Sequence, residues 1–150
     1  RLGVTLTLPT GFEDLAWFGK GPRETYVDRD RAAWVGRVAG TVSDQYVDYV
    51  LPQEHGNKTG LRWMELATPE TAVRFVVAGQ CEGSATRFAP EDLFAARHTT
   101  DLVARAEVRV NLDVRQRGLG TASCGPDTLE RYRIGAGTYE LDFEIRVSAR

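Results

Sequence analysis

The sequence predicts a mainly β protein, an antiparallel β-sandwich with one or two short helices, and three observations carry that prediction. Apolar residues recur with a period of two in several stretches, glycines and prolines punctuate the intervals, and helical patterning is scarce. Alternation of this kind places every second side chain on one face of a strand, whereas on a helix it would scatter them around the axis. Leu2, Val4, Leu6 and Leu8 alternate with small or hydroxyl residues until Pro9, which predicts a strand with one buried face.

The next stretch, WFGKGPRETYVDR from Trp17, has no regular period and reads as a loop of specific contacts, with a second short helix over part of Arg29–Ala33. Leu61–Ala67 and Ala72–Ala78 flank Thr68, Pro69, Glu70 and Thr71, the pattern of a hairpin. Ala85–Phe88 reads as another short strand. Pro90 is followed by Glu91 and Asp92, so a proline opens a short helix and acids occupy its first turn, where they complement the helix dipole. From Leu102 to Val114 the apolar residues keep one parity, which predicts a long strand with room for a bulge. Tyr139, Leu141, Phe143, Ile145 and Val147 form the cleanest alternation, preceded by a turn at Gly135 and Gly137.

Composition narrows the function classes. With 150 residues, 42% of them apolar, the chain is long enough for one domain with a core and too short for a sugar-hydrolysing barrel with accessory domains. Nineteen basic residues are dispersed among 21 acidic ones for a net charge of -2, so neither nucleic acid nor a membrane surface is an expected partner. No run approaches the length of a membrane span. Cys81 and Cys124 lack metal-ligand spacing, so no metal site and no cofactor are expected in this fragment. Two reduced thiols in a cytoplasmic protein are the expected state. The start at Arg1 fits a piece of a longer polypeptide.

Four blocks of the chain resemble, in order, blocks of the C-terminal domain of glycoside hydrolase family 2 β-galactosidases. WFGKGPRETYVDR resembles WFGxGPxExYxDR, YVDYVLPQEHGNKTGLRW from Tyr46 resembles YxxYxxPxENGxRxxxRW, LFAARHTTDL from Leu93 is similar to L-x-x-A-x-H-x-x-x-L, and the stretch from Val108 to Pro126 is similar to a glycine-rich stretch ending in S-x-x-P. The resemblance implies the later part of a large sandwich related to galactose mutarotases, the supersandwich. It implies residues 1–150 as a single domain of a larger β-galactosidase that hydrolyses terminal β-D-galactosides. The implied partners are the galactoside, the catalytic barrel of the same polypeptide and further copies in a homo-oligomer.

Retaining hydrolysis needs two carboxyl groups about 5 Å apart across the anomeric carbon. In the family both are glutamates of the barrel, and none of the matched blocks contains either, so no catalytic residue is expected here. The family's loop before the final proline carries a tryptophan that stacks on the substrate at the mouth of the active site. Aligning Ser123 and Pro126 puts Cys124 at that position, which makes Ser123, Cys124 and Gly125 the candidate entrance-loop contacts without the aromatic. Glu54 and His55 are read as bonding a sugar hydroxyl, against the alternative that Glu54 and Asn57 satisfy backbone groups in a turn that Gly56 permits. His55 stands where the family commonly has Asn. Arg23, Glu24, Asp28 and Arg29 read as a charged surface loop or as contacts to the barrel. His98 reads as a helix-end cap, or as an acid/base paired with Glu54 in a mutarotase-like epimerase. Trp17 and Trp63 are read as buried in the core or at a domain interface, with Trp34 left open, against the alternative of the three as a sugar-stacking platform on a free-standing binding module.

Overall fold

The computed structural model describes residues 1–120 and 125–150. Seven strands, β1 (Leu2–Leu8), β2 (Asp14–Gly21), β3 (Trp34–Thr41), β4 (Lys58–Ala67), β5 (Thr71–Thr86), β6 (Val108–Arg115) and β7 (Phe143–Ala149), form one antiparallel sheet with a single short helix, α1 (Pro90–Ala95). The protein is therefore mainly antiparallel β, consistent with the sandwich class.

The order is β1-β6-β5-β4-β2-β3, and β5 is its spine. Its first half pairs with β4 on one side and β7 on the other, from Thr71↔Ala149 to Val77↔Phe143, and its second half pairs with β6 from Glu82 to Thr86. Between the halves the ladder to β4 skips from Trp63↔Val76 to Leu61↔Cys81, and Gly79 takes a φ of 86°. A left-handed residue bulges the strand at no steric cost when it is glycine. That bulge lets one edge of β5 receive two different strands in succession. The β4–β5 turn is fixed by Thr68, whose hydroxyl accepts from Glu70 N and Thr71 N.

One face of the sheet carries the core. Leu15 and Trp17 of β2, Leu61, Met64 and Leu66 of β4, Val73, Phe75, Val77, Cys81 and Ala85 of β5, and Val108, Val110 and Leu112 of β6 form a continuous cluster with Phe12 and Val42. The opposite face is aromatic under arginine: Arg74 lies 4.7 Å and Arg37 5.9 Å from the Trp63 ring, and Arg62 lies 5.6 Å from Phe18. Long arginine stems cover apolar rings there while their heads stay wet. Cys81 is free and buried, and burial pushes its thiol up to about 12, so it is inert packing.

Several expectations are corrected. Trp17 to Gly21 is strand, not loop, because Gly19 and Gly21 serve close packing: a Cβ on Gly19 would sit 3.0 Å from Leu61 Cα. Residues 29–33 hold two separate turns instead of a helix, closed by Arg29 N to Tyr26 O and Ala33 N to Asp30 O. Leu102 to Glu107 are not part of β6, since Arg105 is drawn into a bidentate pair with Asp92 of α1. Ala85–Phe88 is no separate strand, because Ala85 and Thr86 end β5. β1 forms as expected and Leu6 and Leu8 pack against the core, yet Leu2 and Val4 are each 39% exposed, because they lie at the start of an edge strand. β7 starts only at Phe143, and Ile145 and Val147 are exposed on what is likewise an edge strand.

Candidate functional site

After β2 the chain passes a cis Gly21–Pro22 peptide, and the segment 22–33 lies against the segment 46–57 and the start of β4. Glu24 joins these pieces. Its Oε1 accepts from Arg29 Nη2 at 2.6 Å and from the Tyr49 hydroxyl, and its Oε2 accepts from Gly56 N at 2.8 Å. Asn57, fully buried, donates to Thr25 O at 3.0 Å and to Glu82 Oε2 at 2.9 Å, while its own carbonyl accepts from Thr25 N. Gly56 takes a φ of 75°, the turn conformation expected of it. Tyr26 is buried beneath Arg29, 4.8 Å from its ring, and burial raises its hydroxyl well above the ordinary range.

His55 is buried with both ring nitrogens engaged. Nδ1 lies 3.0 Å from Gln53 O and Nε2 3.2 Å from Thr86 Oγ1. A carbonyl only accepts, so Nδ1 donates to Gln53 O. The ring also packs edge-on to Tyr46 at 5.0 Å. Glu54 does not satisfy backbone groups: it pairs with Arg1 at 3.0 Å. His98 is exposed and precedes the turn Thr99–Asp101, where Asp101 accepts from its backbone N–H at 2.9 Å. Glu54 and His98 thus have separate partners, and the structure does not bring them together as an acid/base pair. Arg23 is exposed at the rim of a cleft between the two segments. Trp17 is buried, Trp63 is covered by arginines and Trp34 is 70% exposed, so no two indoles make a platform.

Asp28 has a role that its place in a charged loop did not reveal. Its carboxylate accepts from Gly120 N at 2.7 Å and Leu119 N at 3.3 Å, tying the segment after β6 to the WFGKGPRETYVDR block. A Cβ on Gly118 would come within 2.7 Å of that carboxyl group, and Gly120, at φ 65°, would meet Thr128 Oγ1 at the same distance. Thr128 Oγ1 donates to Gly118 O, and Asp127 takes both Arg117 and Arg133. Ser123 and Cys124 lie outside the described residues, and Gly125 is exposed.

Behind this region Glu82 and Asp113 are buried side by side on paired strands. Glu82 accepts from Gln116 N at 2.9 Å and from Asn57, yet burial outweighs these bonds and raises its carboxyl. Asp113 is pushed up to about 6 by burial, although Arg1 Nε stands 3.0 Å away. A carboxyl raised in the folded state gives stability that is complete below its unfolded value and disappears as the pH climbs through its folded one. The Asp113 contribution therefore fades between about pH 4 and pH 6. Asp113→Asn, which mimics the protonated form, is expected to be nearly neutral at pH 4 and to gain on the order of 2 kcal/mol relative to the parent by pH 7. Arginine-paired acids such as Asp92 and Asp127, held below their usual range, act the other way but are common to both proteins. Urea unfolding of the pair at the two pH values checks this; a difference independent of pH refutes it.

Among the described residues the buried carboxylates of this region are thus tied up in bonds that hold segments together, and no group of three or more His, Cys, Asp or Glu side chains is placed to bind a metal. Among the described residues no helix is long and apolar enough to cross a membrane.

The sequence model of the family described as "Beta galactosidase small chain" matches residues 1–145. The chain belongs to the β-galactosidase small-chain family. Among curated relatives, a β-galactosidase of Vibrio cholerae serotype O1 is 35% identical over 150 residues, 99% of this chain and 14% of that protein. A β-galactosidase of an Arthrobacter species is 32% identical over 154 residues, 99% of this chain and 15% of that protein. One of Priestia megaterium is 35% identical over 122 residues, covering 80% of this chain and 12% of that protein. This small-chain domain thus spans about a seventh of the length of these relatives.

Proposed function

We propose that this chain is the non-catalytic C-terminal domain of a β-galactosidase acting on terminal β-D-galactosides. It packs on the catalytic barrel of the same polypeptide and shapes the active-site entrance, with the segment through Ser123, Cys124 and Gly125 at the mouth. The observation that carries this reading is the match over nearly the whole chain to a family whose members are about seven times longer. Geometry supports it: Glu24 and Glu82 are engaged by neighbouring donors, Glu54 by Arg1, and none is left paired with a second free carboxylate as retaining hydrolysis requires. Asp28 supports the entrance role by fixing Leu119 and Gly120 at the base of that segment. In this reading the complete enzyme is a cytoplasmic homo-oligomer, and this domain supplies no cofactor.

The test compares the complete polypeptide with residues 1–150. The fragment is expected to hydrolyse nitrophenyl galactoside at background rate and to leave the anomer interconversion of galactose unaccelerated in polarimetry. Turnover by the fragment that disappears in Glu54→Gln, or mutarotation that disappears in His98→Ala, overturns the reading.

A further inference from the structure

Lys58 stands where the block resembled from Tyr46 has an arginine, a basic position to which the sequence reading assigned no role. It opens β4 with 1% of its surface exposed, yet among the described residues its ammonium has no hydrogen bond and no ion pair. The Trp17 ring lies 4.8 Å from Nζ. Glu24 is the acid whose field it feels, but the oxygens of Glu24 already accept from Arg29, Tyr49 and Gly56 N. Burial holds Lys58 down to about 8, which leaves most of it charged at neutral pH. Taking an ammonium out of water costs several kcal/mol, and Glu24, already paired with Arg29, offsets this only in part, so the group is suited to an acceptor arriving from outside.

The cleft that Lys58 lines supplies the access. It has a volume of about 550 Å³, and its lining includes Lys58, Arg23, Glu24, Arg29, Asp44 and Asp48. Arg29 is held by Glu24, whereas Arg23 has no ion pair among the described residues. Asp44 accepts from Thr41 N at 3.3 Å. The cleft therefore offers two uncommitted cations, one of them buried, in a lining that also carries Asp44 and Asp48.

We infer that this cleft binds a carboxylate, seated on Lys58 Nζ with Arg23 closing over it from the rim. A neutral acceptor would bond the ammonium without adding to the charge that Glu24 shares with Arg29; a carboxylate does both, and a guanidinium suits it in bidentate geometry. The same chemistry is offered by a small carboxylic acid and by an Asp or Glu side chain of a neighbouring segment in a longer polypeptide. The inference does not depend on the entrance-loop reading, since the cleft and Asp28's contacts are separate.

Lys20 and Lys58 are the only lysines, so the chain labelled with 13C-lysine gives two Cε signals. Lys20, paired with Asp30 at 2.6 Å, is the internal control. At matched ionic strength, acetate in place of chloride is expected to raise the Lys58 titration midpoint, saturating with a dissociation constant on the order of millimolar for so small a ligand. Acetamide, isosteric but neutral, is expected to leave it unchanged, and Arg23→Ala to weaken the acetate effect several-fold. An equal midpoint in acetate and chloride, or an equal response to acetamide, overturns the inference. Crystals of a polypeptide carrying this chain with its neighbouring domains, grown with and without acetate, give a second readout. An Asp or Glu oxygen within hydrogen-bond distance of Nζ in both assigns the carboxylate to a neighbouring segment, and acetate bound there assigns it to a free acid. Water alone at Nζ in both crystals refutes the site.

Discussion

Trp17→Ala is expected to destabilise the chain by about 3–5 kcal/mol, the range for removing a large aromatic from a packed core. Trp17 is 1% exposed, its Nε1 donates to Lys20 O at 3.1 Å, and its ring lies against Gly21 and beneath Lys58. Truncation opens a cavity between β2 and β4, and it also removes the one π-face over which the Lys58 ammonium sits, leaving a buried charge with less compensation. Trp34→Ala, on an edge strand at 70% exposure, is the matched control and is expected to change stability by about 0.5 kcal/mol or less. Guanidinium unfolding of the two variants measures the contrast. Equal effects would mean that Trp17 is not the packing centre described here.

Glu24→Ala is the second large effect, expected at about 2–4 kcal/mol. One carboxylate receives Arg29, Tyr49 and Gly56 N, and through them it joins the segment after β2 to the segment before β4. Arg29 is partly exposed and regains water when its partner goes, so the larger share of the loss falls on the Gly56 N–H and the Tyr49 hydroxyl. Glu24→Gln keeps one acceptor oxygen and is expected to lose about half as much. Hydrogen exchange adds a local test: Gly56 N–H loses protection in Glu24→Ala while the amides of Val110 and Leu112, deep in the core, keep theirs when the global loss is accounted for. Loss confined to exposed loops with no change in unfolding free energy would show that Glu24 merely decorates the surface.

The sequence by itself determined the class of fold, the β4–β5 hairpin, α1 and the family. These follow from short-range signals: period-two alternation at Val108, Val110 and Leu112, the Thr68–Thr71 turn, Pro90 with its acids, and motif blocks that survive without any knowledge of contacts. The same local signals misplaced the stretch before β6 and the residues 29–33, because distant partners decide there. Arg105 leaves the strand pattern for Asp92, and Asp30 leaves a helical pattern for Lys20. Only the tertiary structure decided that Trp17 lies in a strand, where Gly19 admits β4. It likewise settled that Glu54 pairs with Arg1, that His55 is held on both nitrogens, and that Lys58 is buried without an acceptor among the described residues. The physical reason is common to all of these. Alternation records which face of a strand is apolar, but the partner of a charge and the loss of its water depend on residues tens of positions away in the chain.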